Sequence, residues 1–309
     1  MNPFDSELRF GALLAKWMPP VRVLRALQRL QGVTRPPRVA GLEIHDERIE
    51  ARDGTTLRVR VYRREGAAKR PGLLWIHGGG YVMGTPEMHE KTCLAIARDE
   101  GIQVVSVSYR LAPAWPFPTP LEDCYSALRW MQRHADRLGI DCARLAVGGV
   151  SAGGGLAAAL AQLAHDRAEV PVMFQLLIYP MLDDRTALRE DIDPRRLRLW
   201  SKDDNRFGWT SYLGHTPGLD IVRRYAVPSR RERLEGLPRA WVGTGTCDLF
   251  LDEDVAYAQR LSAADVDCTL YVAEGAYHGF DIVQPSARVS RDFSTAYRTA
   301  LGKALGTCR

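Results

Sequence analysis

The sequence predicts an α/β protein with a mostly parallel sheet and helices on both of its faces. From residue 44 onward, short apolar runs alternate with stretches of helical periodicity, which is typical of strand–helix units in a parallel sheet. Glycine-rich segments directly follow two of these runs, at Gly78–Gly80 and Gly148–Gly155. Such segments favour sharp turns at the carboxyl ends of strands, where sheets of this class place their functional groups.

About eight strands are expected. Ile44–Arg52 and Leu57–Arg63 alternate between apolar and polar residues, and Asp53-Gly54 between them is typical of a hairpin turn. Six further apolar runs have the length of buried strands: Gly72–His77, Ile102–Ser108, Arg144–Gly148, Met173–Tyr179, Ala240–Gly245 and Cys268–Ala273.

Helices are predicted between and after these strands, over residues 87–100, 120–137, 152–166, 252–264 and 287–304. A short amphipathic helix is also predicted over Pro20–Leu30, with Gly32 after its end. Its apolar face is expected to pack on the protein rather than on a membrane. The alternation breaks once, over 185–235, which is interpreted as an insertion between the sixth and seventh strands.

Composition limits the class of protein. The chain has 309 residues, of which 46% are apolar and 26% are charged, as in globular enzymes. Residues 145–164 carry no charge and could span a bilayer by length, but their glycines fit a strand, a turn and a buried helix better. Stable membrane insertion is therefore not expected.

The six cysteines form no C-x-x-C pair and no zinc-like spacing with histidine, so free thiols and no metal are predicted. Asp5 and Glu7 stand where a signal peptide would need basic residues, which predicts a cytoplasmic protein.

The net charge of +5 arises from two segments. Residues 1–40 sum to +5, residues 185–235 to +4, and the remainder therefore to −4. Because arginines alternate with acids over 185–235 and no nucleic-acid motif is present, nucleic-acid binding is not expected. Solvated arginine-rich faces are the favoured interpretation.

Gly149-Val150-Ser151-Ala152-Gly153 matches G-x-S-x-G between a predicted strand and an alanine-rich helix. In that context the motif forms a sharp turn that exposes a nucleophilic serine, here Ser151.

His77-Gly78-Gly79-Gly80 follows the strand before it, and three consecutive glycines are entropically unfavourable unless the backbone must approach a ligand. Their N–H groups, with that of Ala152, are predicted to form an oxyanion hole. A phosphate-binding loop is the poorer alternative, because no P-loop or dinucleotide motif is present.

A nucleophilic serine needs a base and a group that orients the base. His278 follows the last predicted strand, where the base is expected. Asp248 follows the preceding strand and is favoured over Asp252, which stands at the start of a helix, where acids act as caps. The chain order Ser151, Asp248, His278 is the one expected for this arrangement.

Four ordered motifs resemble those of the hormone-sensitive-lipase-like bacterial esterases of the α/β-hydrolase fold, over residues 44–305. They are His77–Gly80, Tyr109–Pro113 with Pro116–Pro118 and Leu121–Asp123, Ser151–Gly154, and Tyr277–Phe280.

The resemblance implies a triad of Ser151, Asp248 and His278, an oxyanion hole of Gly79, Gly80 and Ala152, and a supporting role for His77 in the glycine loop that includes Gly78. It also implies a helical cap formed by residues 1–40 and 185–235 over a core of 41–184 and 236–309. No cofactor, short acyl chains and a possible homodimer are further implications. Three positions depart from the family pattern, with Val150 for Asp, Ala114 for Glu and Leu249 for Pro.

The predicted activity is hydrolysis of small carboxylic esters through an acyl-enzyme. An amidase or peptidase with the same triad and a non-catalytic small-ligand receptor are the alternatives. If the arginines of the cap surround the mouth of the site, anionic esters are expected to bind faster.

Overall fold

The computed structural model describes residues 2–28, 34–66, 68–220 and 222–307. In this part of the chain the strands are β1 Leu42–Glu50, β2 Thr56–Arg64, β3 Arg70–Ile76, β4 Gln103–Ser108, β5 Ile140–Val150, β6 Phe174–Ile178, β7 Arg239–Cys247 and β8 Cys268–Tyr277. They form one eight-stranded sheet in the order β1-β2-β4-β3-β5-β6-β7-β8, in which β2 runs antiparallel to both neighbours. The predicted fold class is confirmed.

The α-helices of the described residues are α1 Arg9–Ala15, α2 Val21–Gln28, α3 Glu90–Asp99, α4 Thr119–Arg133, α5 Ala135–Leu138, α6 Ala152–Arg167, α7 Lys202–Leu213, α8 Leu251–Ala263, α9 Phe280–Val283 and α10 Arg288–Leu305. The helix predicted over Pro20–Leu30 begins at Val21, and the end predicted for it lies outside the described residues. Short 3₁₀ turns occur at Ser6–Leu8, Pro86–His89, Asp184–Leu188, Pro194–Arg196 and Pro228–Arg230.

Two hydrophobic clusters cover the two faces of the sheet. Successive side chains of a strand point to opposite faces, so Leu73 and Trp75 of β3 pack with α1, α3 and α10. Leu74 and Ile76 pack on the other face with α4, α6 and α8. The helix α6 is buried from Ala152 to Ala164, which explains the long uncharged stretch without a membrane. In the described part of the chain, no helix is both long and apolar enough to span a bilayer.

The insertion over 185–235 contains α7, the 3₁₀ turns Pro194–Arg196 and Pro228–Arg230, and most of the turn Asp184–Leu188. It contacts the N-terminal segment, because the backbone N–H of Val21 donates to Asp204 Oδ1 at 3.0 Å and the Arg22 guanidinium lies 4.6 Å from the centre of the Phe207 ring. Trp200, Trp209 and Tyr212 are buried between these segments and the core. These contacts support the predicted division into cap and core, which stays a prediction.

Most arginines of the insertion form ion pairs with carboxylates, several of them on Asp166, Asp183 and Asp184 outside the insertion, so much of its positive charge is neutralised by neighbouring acids. The pairs are Arg185–Asp183, Arg189–Asp191, Arg189–Asp252, Arg195–Asp193, Arg224–Asp166, Arg230–Asp184, Arg231–Asp166 and Arg233–Glu235.

The helix α6 approaches β3 so closely that position 153 has no room for a side chain. A Cβ atom on Gly153 would lie 2.1 Å from the carbonyl oxygen of Ile76 and 2.4 Å from that of His77. Both obstacles are backbone atoms, so neither can move without shifting the strand that carries the glycine loop.

Gly153→Ala is therefore expected to lower the free energy of unfolding by about 2–3 kcal/mol, because overpacking outweighs the gain in helix propensity. Urea denaturation of the two proteins measures this difference. Since alanine at an open helical position would stabilise the protein by about 1 kcal/mol relative to glycine, an increase in stability would contradict the close approach.

Candidate active site

Four loops that follow parallel strands meet at one edge of the sheet. Ser151 directly follows β5, Asp248 follows β7 and His278 follows β8, while residues 77–80 follow β3. The carboxyl ends of parallel strands lie at the same edge, so side chains distant in the sequence converge there.

Ser151 stands at a sharp turn between β5 and α6, with φ of 59° and ψ of −124°. A serine in this region of backbone conformation is strained by about 1–3 kcal/mol. The turn is held by two backbone hydrogen bonds, from the N–H of Ser151 to the carbonyl of Ile178 and from the N–H of Met181 to the carbonyl of Ser151, at 2.9 and 3.0 Å. Hydrogen bonds to β6 and to the loop after it thus stabilise the strained conformation. They fix Ser151 at the carboxyl edge of the sheet.

A continuous series of hydrogen bonds joins the three predicted triad residues. His278 Nε2 lies 3.0 Å from Ser151 Oγ, and His278 Nδ1 lies 2.8 Å from Asp248 Oδ2. The other carboxylate oxygen of Asp248 accepts the backbone N–H of Phe250 at 3.0 Å, which fixes the orientation of the carboxylate. With Nδ1–H donated to Asp248, Nε2 of a neutral imidazole is left as an acceptor for the hydroxyl proton of Ser151.

The structure also separates the two candidate acids. The Asp248 side chain is 1% exposed and touches the imidazole, whereas the Asp252 side chain is 63% exposed and pairs with Arg189. Asp252 lies in the first turn of α8, as predicted.

Aromatic rings surround the imidazole of His278. Phe250 and Tyr179 contact it edge-on, with ring centres 5.2 and 4.7 Å away, and Trp200 lies 6.5 Å away. Ser151, Asp248 and His278 are all buried. Because water is largely excluded, the hydrogen bonds between these groups act in a medium of low dielectric constant and are strengthened.

The backbone of the glycine loop turns toward Ser151. Gly79 and Gly80 have φ of 114° and 60°, which a side chain would oppose. Among the described residues, the N–H groups of Gly79, Gly80 and Ala152 donate no hydrogen bond to protein acceptors. A Cβ atom on Gly78 would lie 3.4 Å from Ser151 Cβ, so the loop lies directly beside the nucleophile. Three free donors next to a serine hydroxyl can bind a developing oxyanion.

The side chain of His77 supports this loop through a hydrogen bond to the carbonyl group of Gly78. Its ring is fully buried and stacks on Tyr109, with ring centres 4.3 Å apart, and its Nδ1 lies 2.8 Å from the carbonyl oxygen of Gly78. The Tyr109 hydroxyl donates to the carbonyl oxygen of His77 at 3.0 Å. Burial lowers the pKa of His77 to about 4, so the ring is neutral and its Nδ1–H donates to Gly78.

His89 supports the same residue, Gly78, through its backbone N–H group. Its Nε2 accepts the N–H of Gly78 at 3.4 Å, and burial lowers its pKa to about 3. The two histidines thus hold both polar groups of Gly78 while staying uncharged. No local pattern marks His89, since it lies in the 3₁₀ turn Pro86–His89 after the loop.

The comparisons with known proteins agree with this geometry. A family model described as the α/β hydrolase fold matches residues 73–282. Esterase LipI of Mycobacterium tuberculosis is 35% identical over 268 residues, which cover 82% of this chain and 79% of the relative. An ethyl acetate hydrolase of Pseudomonas putida is 37% identical, with 77% and 75% covered. The solved structure of a bacterial heroin esterase superposes with a TM-score of 0.87 at 36% identity, over 98% of both chains.

The fold and the converging loops define an α/β hydrolase. The chain belongs to the α/β-hydrolase fold family, and among its members to the hormone-sensitive-lipase-like esterases, as the four sequence motifs predicted.

The two buried histidines make a testable contribution to stability. As the pH falls below 6.5, their ordinary pKa, the unfolded chain binds a proton at each, whereas the folded chain does so only near pH 4 for His77 and pH 3 for His89. The free energy of unfolding therefore decreases as the pH is lowered from 6.5 toward 4.

Wild type is expected to lose free energy of unfolding when the pH is lowered from about 7 to about 5. In His89→Gln this loss is expected to be smaller by about 1–2 kcal/mol, because the unfolded chain has one proton-binding site fewer. Urea denaturation of wild type and His89→Gln at both pH values measures this change in slope. Parallel pH profiles for the two proteins would contradict a neutral, buried His89.

Proposed function

We propose that the protein hydrolyses short-chain carboxylic esters through a covalent acyl-enzyme, with Ser151 as nucleophile, His278 as general base and acid, and Asp248 as the group that orients His278. The observation that carries the proposal is the hydrogen-bonded series in which Ser151 Oγ lies 3.0 Å from His278 Nε2 and His278 Nδ1 lies 2.8 Å from Asp248 Oδ2. The names of two relatives, an esterase and an ethyl acetate hydrolase, denote ester hydrolysis, and the second names a short-chain ester as the substrate.

In the first half of the reaction, Ser151 Oγ attacks the ester carbonyl carbon while its proton passes to His278 Nε2. The carbonyl oxygen becomes an oxyanion, and His278 becomes an imidazolium that the Asp248 carboxylate stabilises. Collapse of the tetrahedral intermediate breaks the carbon–oxygen bond to the alcohol. The leaving alkoxide takes the proton from Nε2, which leaves an ester between Ser151 and the acyl group.

In the second half, a water molecule takes the place of the alcohol. It loses a proton to His278 Nε2 as its oxygen attacks the acyl carbon, and a second tetrahedral intermediate forms. Its collapse returns the proton to Ser151 Oγ and releases the carboxylic acid. Each proton taken by His278 is returned, so the enzyme finishes in its starting state without a cofactor.

The oxyanion of both intermediates is proposed to bind the N–H groups of Gly79, Gly80 and Ala152. Ala152 is the first residue of α6, so the partial positive charge at the N-terminus of that helix adds to the stabilisation. His77 holds Gly78 in place, together with His89, and thereby positions the two glycines that follow.

The preference for short acyl chains is proposed to depend on Trp200. Its ring lies so close to the glycine loop that a Cβ atom on Gly80 would be 2.1 Å from Trp200 Cη2. Trp200 is 7% exposed, and its ring centre lies 6.5 Å from that of His278. Its ring is therefore proposed to limit the space available to the acyl chain beside the reacting carbonyl group.

The finer features of the protein are proposals of the same kind. Residues 1–40 and 185–235 are proposed as the cap, and residues 41–184 and 236–309 as the catalytic core. Free thiols at five described cysteines support a reducing, cytoplasmic setting. The ion pairs of the insertion support the absence of a nucleic-acid partner. A homodimer is proposed through β8, an edge strand on which Leu270 and Val272 are exposed.

Ser151→Ala is expected to lower kcat by at least about 10⁴-fold, because alanine cannot form the acyl-enzyme. Hydrolysis of p-nitrophenyl esters from acetate to palmitate measures this loss, with the highest wild-type activity expected on the shortest chains. Ser294→Ala, on α10 away from the site, is the matched control and should keep full activity.

Retention of activity by folded Ser151→Ala protein would refute the assigned nucleophile. A folded wild type that is inactive on all these esters would instead favour an amidase or a small-ligand receptor.

Gly79→Ala is expected to lower kcat by about 100-fold, because loss of one oxyanion donor costs about 3 kcal/mol of activation free energy. The added Cβ atom would lie 2.2 Å from the carbonyl oxygen of Met83 and would displace the loop. Gly54→Ala provides the control, since Gly54 has φ of 80° but no neighbour within 4 Å. Equal activity of both variants in p-nitrophenyl acetate assays would contradict the proposed oxyanion hole.

A further inference from the structure

The helix α1 and the turn that continues it are apolar on two opposite sides. Leu8, Ala12 and Ala15 are buried in the core. The opposite side, here named the α1 face, consists of exposed large side chains at helical spacing: Phe10 at 66%, Leu13 at 57%, Leu14 at 53%, Trp17 at 78% and Met18 at 49% exposure. Five large apolar side chains on one exposed face are unusual in a protein without a binding partner.

Basic residues flank the α1 face, and the acids that precede it, Asp5 and Glu7, accept backbone hydrogen bonds from Glu7 and Arg288. Residues 9–42 contain seven arginines and lysines and no aspartate or glutamate. Arg9 and Lys16 are seven residues apart, so they lie on the same flank of the helix beside the apolar side chains. Unlike most arginines of the insertion, neither forms an ion pair within the described residues.

The α1 face has a fixed orientation relative to the active site. The backbone N–H of Gly11 donates to Gln284 Oε1 at 2.7 Å, and Arg198 Nε donates to the carbonyl oxygen of Ala12 at 2.7 Å. Gln284 directly follows α9, the helix after His278. The helix is therefore held against the loop that carries the catalytic base.

A cleft of about 650 Å³ lies between the end of this segment, residues 15–20, and residues 194–204 of the insertion. Leu199 and Trp200 line its wall. A Cβ atom on Gly279 would be 2.9 Å from Leu199, and Trp200 covers Gly80, so the cleft lies directly outside the reacting groups. The α1 face thus borders a cleft that Leu199 and Trp200 separate from the reacting groups.

We propose that the α1 face docks onto the surface of an anionic lipid bilayer, with its apolar side chains in the headgroup region and Arg9 and Lys16 beside the phosphates. An apolar face flanked by basic residues is the arrangement that binds such interfaces. This docking brings the cleft to the surface at which amphiphilic esters accumulate. It goes beyond the proposed esterase activity, because binding requires none of the catalytic groups.

A second copy of the chain fits this face less well. A two-fold axis through the face would bring the same basic segment of both copies together, and no acid in residues 9–42 would neutralise them. An anionic surface complements the charge and covers the apolar side chains at the same time.

The experiment measures co-sedimentation with vesicles of phosphatidylcholine containing about 30 mol% phosphatidylserine, with phosphatidylcholine vesicles as the reference. The Ser151→Ala protein is used so that no lipid is hydrolysed, and catalysis is measured separately on p-nitrophenyl acetate. Binding is expected to the anionic vesicles and to decrease as salt is added.

Two pairs of variants test the residues. Leu13→Ala with Trp17→Ala is expected to weaken binding at least about tenfold, because apolar area is lost from the interface. Its control is Leu188→Ala with Leu219→Ala, two leucines of the insertion that are 46% and 49% exposed and lie outside both the α1 face and β8. Lys16→Glu is expected to weaken binding by at least about fivefold, the value of one basic residue near an anionic surface. Its control is Arg233→Glu, 89% exposed and located before the amino end of β7, far from the site.

Three outcomes would overturn the proposal. They are no binding of the parent protein to anionic vesicles, equal binding by the Leu13/Trp17 and Leu188/Leu219 variants, and a dimer in size-exclusion chromatography that the α1-face substitutions convert to monomer. Full activity on p-nitrophenyl acetate in any of these cases would leave the esterase function intact.

Discussion

Around Ser151, helix α6 lies against the end of β3 at a distance that no side chain would allow. The missing Cβ atom of Gly153 makes room for the carbonyl groups of Ile76 and His77, and that of Gly78 makes room for the carbonyl group of Val150. This backbone contact sets the separation between the nucleophile and the glycine loop. Since β5 and β3 are paired neighbours in the sheet, the contact also fixes both groups relative to the strands that deliver Asp248 and His278. The N–H groups of the glycine loop and the imidazole of His278 are therefore held in place around a single substrate carbonyl group before the substrate binds.

Much of this arrangement could be predicted from the sequence because its signals are local. The alternation of apolar runs and helical stretches gives the strands and helices, and parallel strands bring their carboxyl ends to one edge. Once Ser151 is placed by its glycines, the loops after the last two strands are the places to look for an acid and a base. For that reason Asp248 and His278 could be proposed although 97 and 127 residues separate them from Ser151.

The parts that could not be predicted depend on tertiary packing. His89 carries no local signature, yet the fold brings its ring to the N–H of Gly78. Glu253 lies next to Asp252 in the first turn of α8, yet it is 7% exposed and accepts the N–H of Leu182 at 2.6 Å, which ties α8 to the loop after β6. An acid in the first turn of a helix satisfies the same sequence rule in both settings, so only the surrounding structure distinguishes them. The exposed apolar face of α1 is likewise evident only once its other side is seen in the core.

The two ends of the chain are joined by hydrogen bonds, and this affects how the protein must be made. Gly11 bonds to Gln284, 273 residues later, and Glu7 accepts from the same side chain. On a ribosome that adds roughly 5–20 residues per second, α1 therefore waits from about 14 s to about 1 min for its partner. Throughout that time the segment lacks this part of its native packing, and transiently exposed apolar surface of this kind is prone to aggregation. The nascent chain also contains its serine long before its base, so it stays catalytically inert until synthesis is nearly complete.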